Sequence, residues 1–127
     1  MEIRRGDILW VEFHSGNGHV QRGRRPCVVV STNRVNSYAR VINVVPGTTN
    51  LERKNNPVHL IIKNIDVNGY MGKDTMFLIE QITAIDTDQV LGKAGFVNAN
   101  TLETIIELIK KQLGIGKEQV DEQTKQK

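Results

Sequence analysis

A chain of 127 residues has room for one domain with a modest hydrophobic core. No stretch approaches the roughly 18 apolar residues of a membrane-spanning helix. The single cysteine, Cys27, excludes an internal disulfide and favours a cytosolic home. The net charge of +3 is unevenly laid out. No acidic residue stands between Glu12 and Glu52, and the five fixed charges there are all arginine: Arg22, Arg24, Arg25, Arg34 and Arg40. The remainder of the chain then carries −2. Arginine forks pair bidentately with phosphate and stack on bases, so this stretch points to an anionic partner, with nucleic acid foremost.

In chain order, "MEIRRGDILWVEF" lacks the apolar segment and small-residue cleavage site of a secretory signal. Its Asp7 to Phe13 portion alternates as a strand, with Ile8 and Trp10 on one face and Leu9, Val11 and Phe13 on the other. "HSGNGHVQRGR" carries three glycines and reads as a long loop. "PCVVVS" reads as a strand buried along its length, opened by Pro26 where a missing donor is tolerated. In that strand Cys27 is a small buried hydrophobe. "RVINVVP" and "PVHLIIK" are further strands, joined by the turn-rich "GTTNLERKNN". "NIDVNGYMGKDT" has an Asn-Gly signal and reads as a loop or hairpin, "MFLIEQIT" as a fifth strand, and "GKAGFV" as part of a sixth.

The period then changes. Leu102, Ile105, Ile106, Ile109 and Leu113 fall on one helical stripe. Asn100 suits the N-cap, and Gly114 suits the C-terminal stop after Lys110 and Lys111. About six strands followed by one helix predict a small, strongly bent antiparallel sheet or barrel with a helix packed on it. The expected domain spans 1–115, and the polar tail 116–127 is expected to fray.

Familiar chemical motifs are missing. The sequence has no CxxC, HExxH or EF-hand loop, no phosphate-cradling glycine motif before a helix, and no Gly-x-Ser-x-Gly. His14, His19 and His59 lie far apart, and His59 in "VHLII" reads as a satisfied strand histidine. Tyr38 and Tyr70 read as structural rather than as a stacking platform. What remains are arginines, hydroxyls and amides: Gln21, Arg24, Arg25, Ser31, Thr48, Thr49, Glu80 and Gln81. These groups can bind phosphate and read base edges. They can also support attack of an RNA 2′-OH on its neighbouring phosphate without a metal, since that reaction carries its own nucleophile.

The ordered set "RRGDILWVEF", "QRGRRPCVVVS", "VINVVPGTT", "PVHL", "FLIEQI" and a terminal amphipathic helix resembles the MazF/PemK family of toxins from bacterial toxin–antitoxin systems. The likeness runs from about Arg5 to Gly114. It implies an SH3-like barrel that forms homodimers in the cytoplasm. The implied activity is cleavage of single-stranded RNA, without a cofactor, to 2′,3′-cyclic phosphate and 5′-OH ends. A cognate antitoxin would cover the RNA groove with an extended segment. The family's catalytic arginine and threonine fall on Arg25 and Thr48. Its acid-Gln pair falls on Glu80 and Gln81, which would read or position the RNA, assisted by Gln21, Arg24 and Thr49. Val20 stands where many members carry an acid. A toxin of the same barrel that binds DNA gyrase and cuts no RNA is the alternative; it would have no use for the Arg25–Thr48 pair.

Overall fold

The computed structural model describes residues 1–14, 18 and 22–116. Eight strands and two helices follow one another. They are β1 (Asp7–Phe13), β2 (Gly23–Val29), α1 (Asn33–Asn36), β3 (Val41–Thr48), β4 (His59–Ile62), β5 (Asn68–Gly69), β6 (Thr75–Leu78), β7 (Thr83–Asp86), β8 (Val90–Phe96) and α2 (Ala99–Leu113). All pairings are antiparallel, in the order β4-β6-β3-β2-β1-β8-β5, and β7 also pairs with β3. The sheet therefore curls on itself, and its two end strands, β4 and β5, stay apart. The expected bent β-sheet with a C-terminal helix is what forms, with two strands more than the sequence suggested.

The period of two along each strand divides the core. Ile8, Val28, Val45 and Phe77 face α2, and Leu9, Val11, Cys27, Val29, Ile42, Val44 and Ile85 pack on the opposite face. On α2, Ile105 and Ile109 are buried, and Leu102, Ile106 and Leu108 lie partly buried against the same cluster. Burial of each such aliphatic side chain contributes about 1.5–3 kcal/mol. Leu113, assigned to the stripe, is exposed instead, because it lies in the last turn beyond the sheet's cover.

Local departures have local causes. The N-cap of α2 is Asn98, not Asn100: Asn98 is extended and its side chain accepts from the Thr101 N–H at 2.8 Å. Gly114 ends the helix in the left-handed region at φ 68°, as expected, and the Ile115 N–H closes on the Lys110 carbonyl at 2.8 Å. Pro26 lies inside β2 rather than at its start. The β2–β3 ladder begins at Cys27, one residue after the proline that cannot donate. The Asn-Gly signal does not turn a hairpin. Asn68–Gly69 forms the two-residue β5 against Phe96 and Gly95 of β8, and a Cβ on either glycine would strike the facing backbone.

"MFLIEQIT" is not one strand. β6 stops at Leu78, a 3-10 turn takes Ile79–Gln81, and β7 starts at Thr83. β3 is long enough to serve both pieces. Its Gly47 and Thr48 pair with β6, whereas Val41–Val44 pair with β7. The 3-10 turn is pinned from below by Ile79, fully buried in the cluster under α2. Helix α1 was missed because four residues carry no readable period. It is held by Thr32, which caps the Val35 N–H, and by buried Asn36, which bonds both the hydroxyl and the carbonyl of Ser31.

Candidate active site

Several of the singled-out residues line one cleft of about 410 Å³. Its lining includes Arg25 from β2, Thr48 from β3, and Glu80 and Gln81 from the 3-10 turn. Strand alternation explains which neighbours stay out. Arg24 is exposed on the strand beside Arg25, opposite Glu12 in the β1–β2 register, and does not line the cleft. Thr49 is likewise exposed and outside the lining. Gln21 and Val20 lie outside the described residues, as do His19 and the tail from residue 117.

Arg25 is held by backbone. Its Nε donates to the Arg22 carbonyl at 2.8 Å and its Nη1 reaches the Gly47 carbonyl at 3.5 Å. Gly47 directly precedes Thr48, so the second contact sets the guanidinium beside the threonine. A guanidinium has five N–H donors. With two engaged by carbonyls, the others remain for a ligand. Partial burial lowers the Arg25 pKa from its usual value, with Cys27 acting weakly in the opposite direction. The group keeps its charge at neutral pH all the same. Cys27 does not offset that charge: burial pushes its thiol pKa up, so it stays neutral.

Thr48 accepts from the Asn50 N–H at 3.1 Å. That bond occupies a lone pair of the hydroxyl and leaves its O–H free to donate. Gly47 permits the close crossing of β3 and β6 here, since a Cβ would come within 2.5 Å of Thr75 Cγ2 and 3.0 Å of Phe77 Cε1.

The opposite wall holds a residue that sequence reasoning set aside. His59 lines the cleft with its side chain only 1 % exposed. Its Nδ1 lies 2.8 Å from the Arg53 carbonyl, and its Nε2 lies 2.8 Å from Glu80 Oε2. It is a satisfied strand histidine, as expected, but one partner is a cleft carboxylate 21 positions away, which no local spacing announces. The other oxygen of Glu80, Oε1, is buried without a partner. Arg22, Asn50, Glu52 and Arg53 complete the polar lining, and Met76 and Leu78 contribute apolar surface. Among the described residues, no three His, Cys, Asp or Glu side chains gather as a metal site. No helix among them is long and apolar enough to cross a membrane.

The arrangement is an open polar cleft lined by a cation held on backbone carbonyls and by a hydroxyl, suited to an anionic group. The chain is also similar to known proteins. The chain is 26% identical over 114 residues to the endoribonuclease MazF of Staphylococcus epidermidis, covering 90% of this chain and 93% of that one. Its fold is similar to that of MazF from Deinococcus radiodurans, with a TM-score of 0.74 at 20% identity over 90% of this chain and 98% of the other. It is also similar to a mycobacterial endoribonuclease solved in complex with its cognate antitoxin, with a TM-score of 0.70 at 18% identity over 91% and 97% of the two chains. The family model for PemK-like, MazF-like toxins of type II toxin–antitoxin systems matches residues 4–113, and the chain belongs to that family.

Proposed function

We propose that this toxin is an endoribonuclease that cuts single-stranded RNA in the cleft between β2, β3 and the Ile79–Gln81 turn, with Arg25 and Thr48 as its catalytic residues. The observation that carries the assignment is the contact of Arg25 Nη1 with the Gly47 carbonyl, which sets guanidinium and hydroxyl on adjoining positions of one cleft. The RNA 2′-oxygen attacks the adjacent phosphorus and loses its proton. The bond to the 5′-oxygen breaks, and that oxygen gains a proton. The products are a 2′,3′-cyclic phosphate and a 5′-OH. Arg25 stabilises the charge that grows on the phosphorane oxygens, and the Thr48 hydroxyl donates to one of them. A permanently charged guanidinium is suited to that electrostatic role rather than to general-base work.

Gln81 and Glu80 contact the bases, the amide as donor or acceptor and the carboxylate as acceptor. Gln21, Arg24 and Thr49 belong to the same reading as contributors to RNA binding from outside the described lining. The toxin acts in the cytoplasm as a homodimer and is silenced by a cognate antitoxin. Family membership supports that part of the reading.

Incubation of the purified protein with a long single-stranded RNA in EDTA tests the assignment. The expected result is a few discrete cuts whose upstream fragments resist 3′-end ligation until the cyclic phosphate is opened and the resulting monophosphate removed to leave a 3′-OH. Cutting that appears only on addition of magnesium contradicts it, and so does a response confined to a DNA supercoiling assay.

A further inference from the structure

The reaction needs the Arg25 charge open to phosphate, yet the cleft contains anions of its own. Glu52 and Glu80 line it beside Arg22, Arg25 and Arg53. A carboxylate fits a guanidinium fork as well as a phosphate does. Glu80 swung toward Arg25 would therefore occupy the substrate's place. No such pair forms: among the described residues Arg25 donates only to backbone carbonyls, and Glu80 turns Oε2 to His59 Nε2.

The ring geometry fixes how this tie works. The Arg53 carbonyl can only accept, so His59 Nδ1 carries its hydrogen. Nε2 then faces a carboxylate oxygen at 2.8 Å, a contact that is attractive only with a proton between the two atoms. The pair thus shares one proton and is neutral as a unit, whichever atom carries it. Among the described residues, His59 is the only hydrogen-bond partner of the Glu80 carboxylate, because Oε1 has none.

We propose that His59 is a positioning residue whose shared proton holds Glu80 away from Arg25 and so keeps the arginine charge open for an RNA phosphate. The inference rests on the ribonuclease reading of this cleft.

Among the described residues that line the cleft with the ring, the charged groups are few. The segment between β3 and β4 brings Glu52 and Arg53, and β2 with its preceding residue brings Arg25 and Arg22. The 3-10 turn brings Glu80, and β6 contributes only Met76 and Leu78. Of these, only Glu80 meets a ring nitrogen through its side chain.

A double-mutant cycle tests this. Cleavage of one single-stranded RNA is measured for the wild type, His59→Ala, Glu80→Gln and the double variant. Binding of the same strand with a 2′-deoxy residue at the scissile position is measured in parallel. His59→Ala is expected to lower kcat/KM on the order of tenfold, mainly through KM, and to cost less than about threefold once Glu80 is Gln, a coupling of ordinary size for contacting residues. His59→Gln, whose amide donates to Glu80, is expected to keep kcat/KM within about threefold of the wild type. Equal costs of His59→Ala in both backgrounds overturn the proposal, and so does a loss in folded His59→Gln as large as that in His59→Ala. The histidine is buried, and His59→Ala can unfold the chain; the glutamine variant, measured with Glu80 and with Glu80→Gln, then decides. If the wild type binds the deoxy-substituted strand but cuts no RNA, the ribonuclease reading falls, and the cycle in binding still judges the tie.

Discussion

The two walls of the cleft are built differently. Arg25 and Thr48 stand on β2 and β3, central strands with neighbours on both sides. Glu80 and Gln81 stand where β6 breaks into a 3-10 turn, and His59 opens β4, an end strand whose one partner is β6. On the strand wall, backbone carbonyls and a backbone N–H hold the functional groups. On the interrupted wall, one side chain holds another. Backbone positioning is insensitive to most substitutions and suits chemistry that must be the same for every substrate. Side-chain positioning can be retuned residue by residue and suits the choice of substrate.

The largest effect expected from that contrast is on the strand wall. Arg25→Ala should slow RNA cleavage on the order of 10²–10³-fold, the cost of removing one preorganised charge stabiliser. Its melting temperature should barely move, because among the described residues the side chain donates only to two carbonyls. Normal cutting by this variant would erase the distinction between the walls. Next comes Gly47→Ala, which forces a methyl against Thr75 and Phe77. It should destabilise the fold by about 1–3 kcal/mol in denaturant titrations and impair cutting by displacing the carbonyl that Arg25 uses. Thr48→Ala should cost about tenfold in cleavage rate, the worth of one hydrogen bond, and Thr48→Ser should restore most of it. On the interrupted wall, Gln81→Ala should alter which sites are cut, seen by mapping 5′ ends, with a loss of about tenfold or less at the preferred site.

The smallest effect probes how dry the strand wall is. Burial raises the Cys27 thiol above its ordinary value of 9.0 in the folded chain. The unfolded chain therefore releases its thiol proton first as pH climbs. The contribution of Cys27 to stability is intact below pH 9 and is lost above it, by about 0.8 kcal/mol at pH 9.5. Unfolding midpoints between pH 7 and 9.5 should show this slope, and Cys27→Ala should flatten it.

Both strands of the first wall were legible in the chain. The run from Pro26 to Val30 is apolar and buried, and "RVINVVP" reads as a strand; that β3 runs on through Gly47 to Thr48, which reads as part of a turn, is seen only in the fold. Arg25 and Thr48 also fall on the arginine and threonine of a recognisable family pattern. The second wall was not legible. "MFLIEQIT" has the composition of one continuous strand, and nothing local in it marks the turn at Ile79. The turn is imposed from outside, by β3 dividing its length between β6 and β7 and by burial of Ile79 under α2. The two-residue β5 was misread for a similar reason: the glycine in Asn68–Gly69 serves a close approach to Gly95, not a reversal.

By itself, then, the sequence determined a β-sheet closed by one amphipathic helix, the cationic segment, and the arginine and threonine of the cleft. The sheet, the helix and the cationic segment follow from periodicity, charge order and residue chemistry, which act over a few neighbouring positions; the arginine and threonine follow from the family pattern that the sequence resembles. Only the tertiary structure decided that Arg24 and Thr49 lie outside the cleft lining, and that His59 meets Glu80 there. Those outcomes depend on register and on contacts between distant segments. Such contacts form only once the sheet has curled and its strands have taken their places.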